Sequence, residues 1–217
     1  MKLAAFFLLG LPFLAYAGSE QAMISNSVPE GFELQNFRFI YDEATCGKIN
    51  FVLNPRNGDC SVEFETFHTM GTDTASCDLT IEVDLPPGLA MTPSRLTVEG
   101  DYQFDDGGSI TLDAHYTLEG AADRIVLQRY WSNTDAGLVS NSFLEEELWT
   151  APRPFSPCGG TAVFKGSFSL GASSFPLQKQ SLIDIGKANL GAASEKKAPI
   201  AYWGWDYQIC KAEEAKR

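Results

Sequence analysis

The stretch Cys77-Asp78-Leu79-Thr80-Ile81-Glu82-Val83-Asp84-Leu85 alternates apolar and polar residues with a period of two. Successive side chains of a β-strand point to opposite faces, so this pattern predicts a strand with one buried face and one acidic, solvated face. Pro86-Pro87-Gly88 follows directly and ends the strand, because proline has no N–H to donate to a neighbouring strand. A strand with one apolar face indicates a sheet that is packed against a second layer.

The same alternation recurs in residues 60–67 and 110–118. Further strands are predicted near residues 37–41, 49–53, 95–104, 124–130, 162–170, 181–185 and 200–209. About ten strands, separated by turns rich in Gly, Pro, Asn and Asp, predict an all-β fold: a single-domain antiparallel β-sandwich stapled by disulfides. Two sheets that each carry one apolar face can bury those faces only against each other.

Three connecting segments carry more specific expectations. Asp105-Asp106-Gly107-Gly108 is typical of a hairpin turn and predicts pairing between the strands on either side of it. Residues 141–149 are predicted to form a short helical turn, capped by Ser142 and with glutamates in its first turn. Residues 189–197 are rich in Ala, Gly, Ser and Lys, and they predict an exposed loop.

The N-terminus has the pattern of a secretory signal peptide. Lys2 precedes an apolar run over residues 3–14, and Ala15-Tyr16-Ala17 then provides the small residues of a cleavage site. The run is about a dozen residues, whereas a membrane-spanning helix needs about 20. We therefore predict a signal peptide at 1–17, an exposed segment at 18–35, the sandwich domain at 36–210 and a polar tail at 211–217. The expected location is secreted or periplasmic, with no membrane insertion after cleavage.

The charge disfavours nucleic-acid binding. The chain has 16 basic and 28 acidic residues, a net charge of −12, and loss of residues 1–17 removes one lysine and no acid, which gives −13. Binding to a phosphate backbone requires clustered Lys and Arg, and Lys196-Lys197 is the only adjacent basic pair before the C-terminal tail. Acidity of this kind is typical of a soluble surface.

The order of the cysteine motifs resembles a known family. Cys46 is followed by the Cys77 strand, by Ser156-Pro157-Cys158-Gly159 and by an aromatic-rich strand that ends at Cys210. Over residues 36–210 this order is similar to the secreted domain-of-unknown-function family 4360. The sequence departs from the family at Thr45-Cys46-Gly47 and in having Cys60 as an extra cysteine. The resemblance implies a secreted β domain with four framework cysteines, and it implies no activity and no catalytic residues.

An oxidising compartment favours disulfides, and five cysteines with two bridges allow fifteen pairings. The framework implied by the resemblance, Cys46, Cys77, Cys158 and Cys210, leaves three. We favour Cys46 with Cys77 and Cys158 with Cys210, because each bond joins neighbouring parts of the chain and ties a loop end to a strand end. Cys60 shares the apolar face of its strand, so we predict a buried, inert thiol.

Signatures of catalysis are weak. The sequence contains no C-x-x-C, no paired histidines and no G-x-S-x-G, so we predict no metal, no cofactor and no catalytic residue. Asp113 and His115 share a strand face, but isolated surface histidines are commoner than such a base. The acidic residues Asp101, Asp105 and Asp106 suit calcium, yet they precede a glycine pair that is typical of turns.

Aromatic residues give the best binding hypothesis. Trp203 and Trp205 alternate onto one face of the last strand, where an exposed row would stack on sugar rings; the polar opposite face favours a buried row. Trp131 and Trp149 lie in or near the segment 132–157, a candidate binding loop. These four tryptophans are the candidate ligand-binding residues, with a polysaccharide or an extracellular protein as partner.

Two functions are therefore considered. The first is a secreted, non-enzymatic β-sandwich protein that acts as an envelope-associated or carbohydrate- or protein-binding module. The alternative is a secreted hydrolase that uses two carboxylates in a cleft, because 28 acids make a suitable pair hard to exclude. The absence of catalytic signatures favours the first.

Overall fold

A computed structural model describes residues 24–54, 58–65, 67–104, 106–133, 137–149, 153–174, 181–185 and 200–210. The predicted signal peptide, the loop at 189–197 and the tail at 211–217 lie outside these residues. The described part contains thirteen strands and one short helix. They are β1 (Ile24–Ser25), β2 (Gln35–Tyr41), α1 (Glu43–Cys46), β3 (Ile49–Leu53), β4 (Cys60–Phe64), β5 (Phe67–Met70), β6 (Thr74–Leu85), β7 (Leu89–Phe104), β8 (Ser109–Leu118), β9 (Ile125–Ser132), β10 (Val139–Leu148), β11 (Gly160–Ser173), β12 (Leu182–Ile185) and β13 (Ile200–Ile209).

The strands form two antiparallel sheets. The large sheet has the order β3-β4-β13-β7-β12-β5, with β1 also paired to β13 and β10 also paired to β7. The small sheet has the order β2-β6-β11-β8-β9. In β6 the even residues face solvent and the odd residues from Cys77 to Leu85 are buried, as the period-two pattern predicts. The sandwich prediction is confirmed, because the apolar faces of both sheets meet in one core.

The core centres on aromatic residues from both sheets. Trp203 and Trp205 of β13 contact Tyr116 of β8, with ring centroids 5.8 and 5.6 Å away. Phe164 and Phe168 of β11 complete the contacts, at 4.3 Å from Trp205 and 6.0 Å from Trp203. Large aromatic side chains remove the most apolar area from water, so this cluster is a main source of stability.

Side chains from edge strands close both sides of the sandwich. On one side Phe39 of β2 stacks on Phe51 of β3, with centroids 4.6 Å apart. On the other side Arg129 of β9 donates through Nε to Glu145 of β10 at 2.5 Å. These contacts join the two sheets where backbone hydrogen bonds do not.

Two disulfides fasten the sheets to their connections. Cys46, at the end of α1, bonds to Cys77 in β6, and Cys158, before β11, bonds to Cys210, after β13. These are the pairs that the sequence analysis favours. Cys60 is a free cysteine and is buried.

Within the described ranges no helix is long and apolar enough to cross a membrane.

The predicted helical turn at 141–149 is wrong, because this segment is strand β10. Ten consecutive residues pair with β7, from Val139 opposite Phe104 to Leu148 opposite Arg95. Phe143 turns into the core while Leu144 faces solvent. Pairing with a long neighbouring strand outweighs the helical preference of three adjacent glutamates, since local propensity is a weak prior.

The predicted hairpin at 105–108 is also wrong. β7 belongs to the large sheet and β8 to the small sheet, so the turn carries the chain between layers. The turn is instead held by Asn133, which accepts from the Gly107 N–H at 2.9 Å and donates its own N–H to the Gly108 carbonyl at 3.0 Å. Turn residues predict a reversal of direction, but they do not specify which strand becomes the neighbour.

Candidate functional site

On the outer face of the large sheet, the space where a side chain of Gly204 would lie is occupied by the side chains of Arg95 and Ser94, and Gly204 is buried. Along β13 the buried Trp203, Trp205 and Tyr207 alternate with outward residues, and Gly204 occupies one of the outward positions. The register with β7 shifts between Gly204 and Trp205, so that Ser94 is an extra residue opposite them. A bulge of this kind bends a strand and re-aims nearby side chains. The surface is therefore concave at this point rather than flat.

The concavity is a groove of about 530 Å³, which we call the Gly204 groove. Small-ligand sites span about 300–1,000 Å³, so its size suits a ligand of several rings. It is lined by Asn26, Asp59, Ser94, Arg95, Leu148, Trp149, Arg153, Gly204 and Trp205. These residues come from β7, β13, the end of β10 and the segments after β1, before β4 and before β11.

Arg95 lies across the floor of the groove. A Cβ built on Gly204 would approach Arg95 Cβ to 3.2 Å and Arg95 Nε to 3.3 Å, so the missing side chain makes room for the guanidinium stem. The terminal nitrogens lie 3.7 Å from Asp59 Oδ2 and 3.9 Å from Glu146 Oε2. Both distances exceed those of hydrogen bonds. Arg95 is thus flanked by two carboxylates without a close bond to either.

Arg153 also lines the groove and is held by an ion pair. Its Nη1 lies 2.5 Å from Asp206 Oδ2, and both side chains are largely buried. Thr92, which pairs with Asp206 across the strands, donates its hydroxyl to the Pro154 carbonyl at 2.8 Å. These contacts fix the segment that carries Arg153 against β7.

Trp149 supplies the apolar wall. Its backbone N–H donates to the Ser94 carbonyl at 3.0 Å, which anchors the residue beside the bulge. Only 8% of Trp149 is exposed, so little of its surface is available to a ligand in this conformation. The same residue also lines a second pocket of about 300 Å³ beside the start of β9.

The structure separates the four candidate tryptophans. Trp203 and Trp205 lie in the core, at 0% and 1% exposure, so in this conformation their ring faces are unavailable for stacking on a ligand. Trp131 is half-buried and packs on Tyr102 and Phe143, at 5.4 and 5.2 Å. Trp149 and Trp205 are the two that line the Gly204 groove. As part of strand β10, residues 139–148 do not form the loop that the sequence analysis considered.

One other candidate group, the Asp113–His115 pair, can be located. His115 Nε2 lies 2.5 Å from Asp113 Oδ1, and Gln128 donates to the other carboxylate oxygen of Asp113 at 2.8 Å, on the outer face of the small sheet. The described residues contain no group of three or more His, Cys, Asp and Glu side chains that could hold a metal ion. The carboxyl-based hydrolase stays an untested hypothesis.

Hydrogen bonding changes the pKa of one exposed carboxyl group, that of Asp84, which does not line the groove. Asp84 accepts hydrogen bonds from Thr161 at 2.7 Å and from Asn36 at 3.0 Å, and these bonds lower its pKa. Asn36 has a positive φ of 48° at an irregularity in the pairing of β2 with β6. The bonds therefore stabilise an edge strand rather than a site in the groove.

Sequence reasoning missed Arg95, Arg153, Asp59 and Gly204. One clue was present: a glycine inside a strand often marks the close approach of another group, and Gly204 sits between two tryptophans. The partners of Gly204 could not be inferred, because Asp59 and Arg95 are more than 100 residues away in the chain.

Comparison with known proteins shows weak similarity to several solved structures and a match to one family model. No curated protein matches the chain. Among solved structures, TmCBM61 in complex with beta-1,4-galactotriose is 16% identical and has a TM-score of 0.20, with 68% of this chain and 83% of that chain covered. A structure described as CBM4 is 13% identical with a TM-score of 0.23, covering 68% and 82%. The enzymatically active domain of tailspike protein 4 of bacteriophage CBA120 is 12% identical with a TM-score of 0.23, covering 80% of this chain and 19% of that one.

The family comparison agrees with the cysteine framework. The model of a domain of unknown function, DUF4360, matches residues 46–197, which include Cys46, the Cys77 strand and Cys158. The match covers well over half of the sequence, and the chain therefore belongs to the DUF4360 family.

Proposed function

We propose that this protein is a secreted binding module whose ligand site is the Gly204 groove, and that the ligand is an extended segment of an extracellular polysaccharide. The observation that carries the proposal is the groove of about 530 Å³, in which the Arg95 side chain occupies the space left by Gly204 and lies beside Asp59. The two disulfides support an oxidising location, because such bonds persist outside the reducing cytosol.

The polar groups suit sugar hydroxyls. A hydroxyl group both donates and accepts hydrogen bonds, so it is best met by a donor and an acceptor placed side by side. Arg95 with Asp59 offers this combination in the groove, and Arg153, which also lines it, is paired with Asp206. Leu148, which is 53% exposed, and the exposed part of Trp149 provide apolar surface for the C–H groups of a sugar ring.

The groove is also built on rigid elements. Arg95 lies on β7 and Gly204 on β13, which are paired along nine residue positions. Sites on strands keep their geometry better than sites on free loops, and preorganised sites lose less entropy on binding. This supports a binding role for side chains that already have their positions in the free protein.

The test is a binding screen of the oxidised protein against soluble polysaccharides, by affinity electrophoresis followed by calorimetry. Arg95→Ala and Gly204→Val are expected to weaken binding by about 10- to 100-fold, because a hydrogen bond to a charged group contributes about 1.5–3 kcal/mol. Arg38→Ala is the matched control, since Arg38 is an exposed arginine paired with Glu82 on the small sheet. Near-UV circular dichroism checks that each variant is folded.

Two results would contradict the proposal. Binding that survives Gly204→Val would place the ligand elsewhere on the surface. Failure of the unaltered protein to bind any polysaccharide in the screen would reject the polysaccharide ligand itself.

A further inference from the structure

The charge balance of the Gly204 groove limits which polymers it can hold. Arg95 and Arg153 contribute two positive charges, and the carboxylates that contact them, Asp59, Glu146 and Asp206, contribute three negative charges. We infer that the groove binds uncharged, hydroxyl-rich chains and discriminates against anionic ones. This inference rests on the proposed function and specifies its ligand class.

Arg153 is already neutralised. It lies 2.5 Å from Asp206, whose side chain is only 13% exposed. An anionic ligand that reached Arg153 would have to displace this carboxylate or lie beside it. Two carboxylates at one guanidinium repel each other, and a half-buried position weakens the screening by solvent that would reduce the repulsion.

Arg95 can still donate hydrogen bonds to a ligand, but its positive charge is balanced by the neighbouring carboxylates. Its guanidinium has carboxylates on both sides, with its two terminal nitrogens at 3.7 and 3.9 Å from them. A guanidinium has five N–H donors, and these long contacts leave donors available. A hydroxyl can accept from Arg95 and donate to Asp59 or Glu146, whereas a ligand carboxylate can only accept and is repelled by both.

The net negative charge of the whole molecule also disfavours the binding of anionic chains. A net charge of −12 lowers the local concentration of polyanions and slows their association, most strongly at low salt. Neutral chains are not affected by this long-range field. Selection against anionic polymers is therefore strongest at low ionic strength.

The experiment compares neutral and anionic chains in matched pairs. The probes are hydroxyethylcellulose with carboxymethylcellulose, galactan with polygalacturonate, and mannan with alginate, each at 20 and 300 mM NaCl. We expect a neutral member to bind at least tenfold more tightly than its anionic partner, with less than a twofold change in affinity between the two salt concentrations.

Asp206→Asn provides a gain-of-binding variant. It leaves Arg153 with an unbalanced charge, so binding of the anionic partner should increase severalfold at 20 mM NaCl and fall again at 300 mM. Asp78→Asn is the control, because it makes the same change in net charge at an exposed position on the outer face of the small sheet. Equal gains in both variants would show that net charge alone, and not Arg153, decides the selectivity, and would overturn the role of the groove.

The remaining outcomes distinguish failure of the charge selectivity from failure of the proposed polysaccharide-binding function. Preferred binding of an anionic chain, lost in Gly204→Val, would overturn the charge selectivity while keeping the groove as the site. Binding of no chain in any pair would reject the polysaccharide function and the selectivity with it.

Discussion

The phenol ring of Tyr116 in the small sheet meets the indole of Trp205 in the large sheet edge to face, with centroids 5.6 Å apart. Both side chains are fully buried. The Tyr116 hydroxyl nevertheless has no hydrogen-bond partner, whereas the Trp205 side chain hydrogen-bonds to Cys60. The centre of the core thus combines well-placed aromatic packing with a hydroxyl group that lost its water on folding.

Tyr116→Phe is expected to leave the protein at least as stable as the unaltered chain. The substitution keeps the ring and removes a hydroxyl whose burial without a partner costs about 1–3 kcal/mol. Urea unfolding should therefore show an unchanged or higher free energy of unfolding, whereas Trp205→Ala should lose about 3–5 kcal/mol. Tyr41→Phe, at a half-buried edge position, is the neutral control. A loss of more than 1 kcal/mol in Tyr116→Phe would indicate that the hydroxyl is bonded in solution.

Alkaline pH is expected to destabilise the fold through Cys60. Burial, with a smaller contribution from Asp59, raises the pKa of the Cys60 thiol well above its ordinary value. In the unfolded chain a thiol ionises near pH 8.5, so above that pH the unfolded state binds fewer protons than the folded state. The free energy of unfolding should be constant below about pH 8 and then fall by up to about 1.4 kcal/mol per pH unit.

Cys60→Ala separates this effect from other ionisations. The variant should start at a lower stability, because it leaves a small cavity, but its stability should stay flat between pH 8 and 10. Burial also raises the pKa values of Tyr116 and Tyr207, so both proteins should lose stability above about pH 10. Parallel pH profiles for the two proteins would refute the assignment to Cys60. In native protein the thiol should also resist Ellman's reagent until denaturant is added.

The comparison of sequence with structure shows what periodicity can and cannot predict. Period-two alternation located β3 and β13 to the residue, since burial of one face fixes where a strand pairs. It did not locate β10, where Glu145-Glu146-Glu147 obscures the pattern and pairing with β7 supplies the order. Choice of neighbouring strand is a property of the whole fold, and for that reason the Gly107-Gly108 turn was assigned to the wrong pair.

The site was harder to predict than the fold. The polar face opposite Trp203 favoured a buried indole row, and the structure places these rings in the core. The groove instead depends on a register shift beside Ser94 and on the approach of Asp59, Arg95 and Arg153 from distant segments. None of these residues forms a local motif. Only the three-dimensional pairing brings them together.

Removal of the Cys158–Cys210 bond is expected to cost about 4 kcal/mol of stability. The bond closes a loop with a sequence separation of 52 residues, and on the chain-entropy model a cross-link of this length stabilises by about that amount. Cys46–Cys77, with a separation of 31, should contribute a few tenths of a kcal/mol less. Unfolding of Cys158→Ser/Cys210→Ser and Cys46→Ser/Cys77→Ser measures both. A loss below 1 kcal/mol for either pair would show that the unfolded chain is not restricted by that bond.

Gly58→Ala is expected to be far more damaging than Gly71→Ala, although both glycines have a positive φ, of 70° and 75°. A Cβ on Gly71 would meet nothing within 4 Å. The free energy of unfolding of that variant should therefore fall only by the cost of placing alanine in the left-handed backbone region, about 1–2 kcal/mol. A Cβ on Gly58 would overlap the hydroxyl oxygen of Tyr207, a side chain that is buried in the core, and would lie 2.8 Å from Leu34 Cδ1. The extra cost must come from moving these two side chains.

Combining the glycine substitution with Tyr207→Phe isolates the cause. The phenylalanine removes the clashing oxygen, so Gly58→Ala should cost less in the Tyr207→Phe background than in the unaltered protein. The difference between the two costs, from a double-mutant cycle of urea unfolding, reports the contact directly because neighbouring sites are not additive. Equal costs in both backgrounds would mean that backbone strain at position 58 or the approach of Leu34, and not the Tyr207 hydroxyl, requires the glycine.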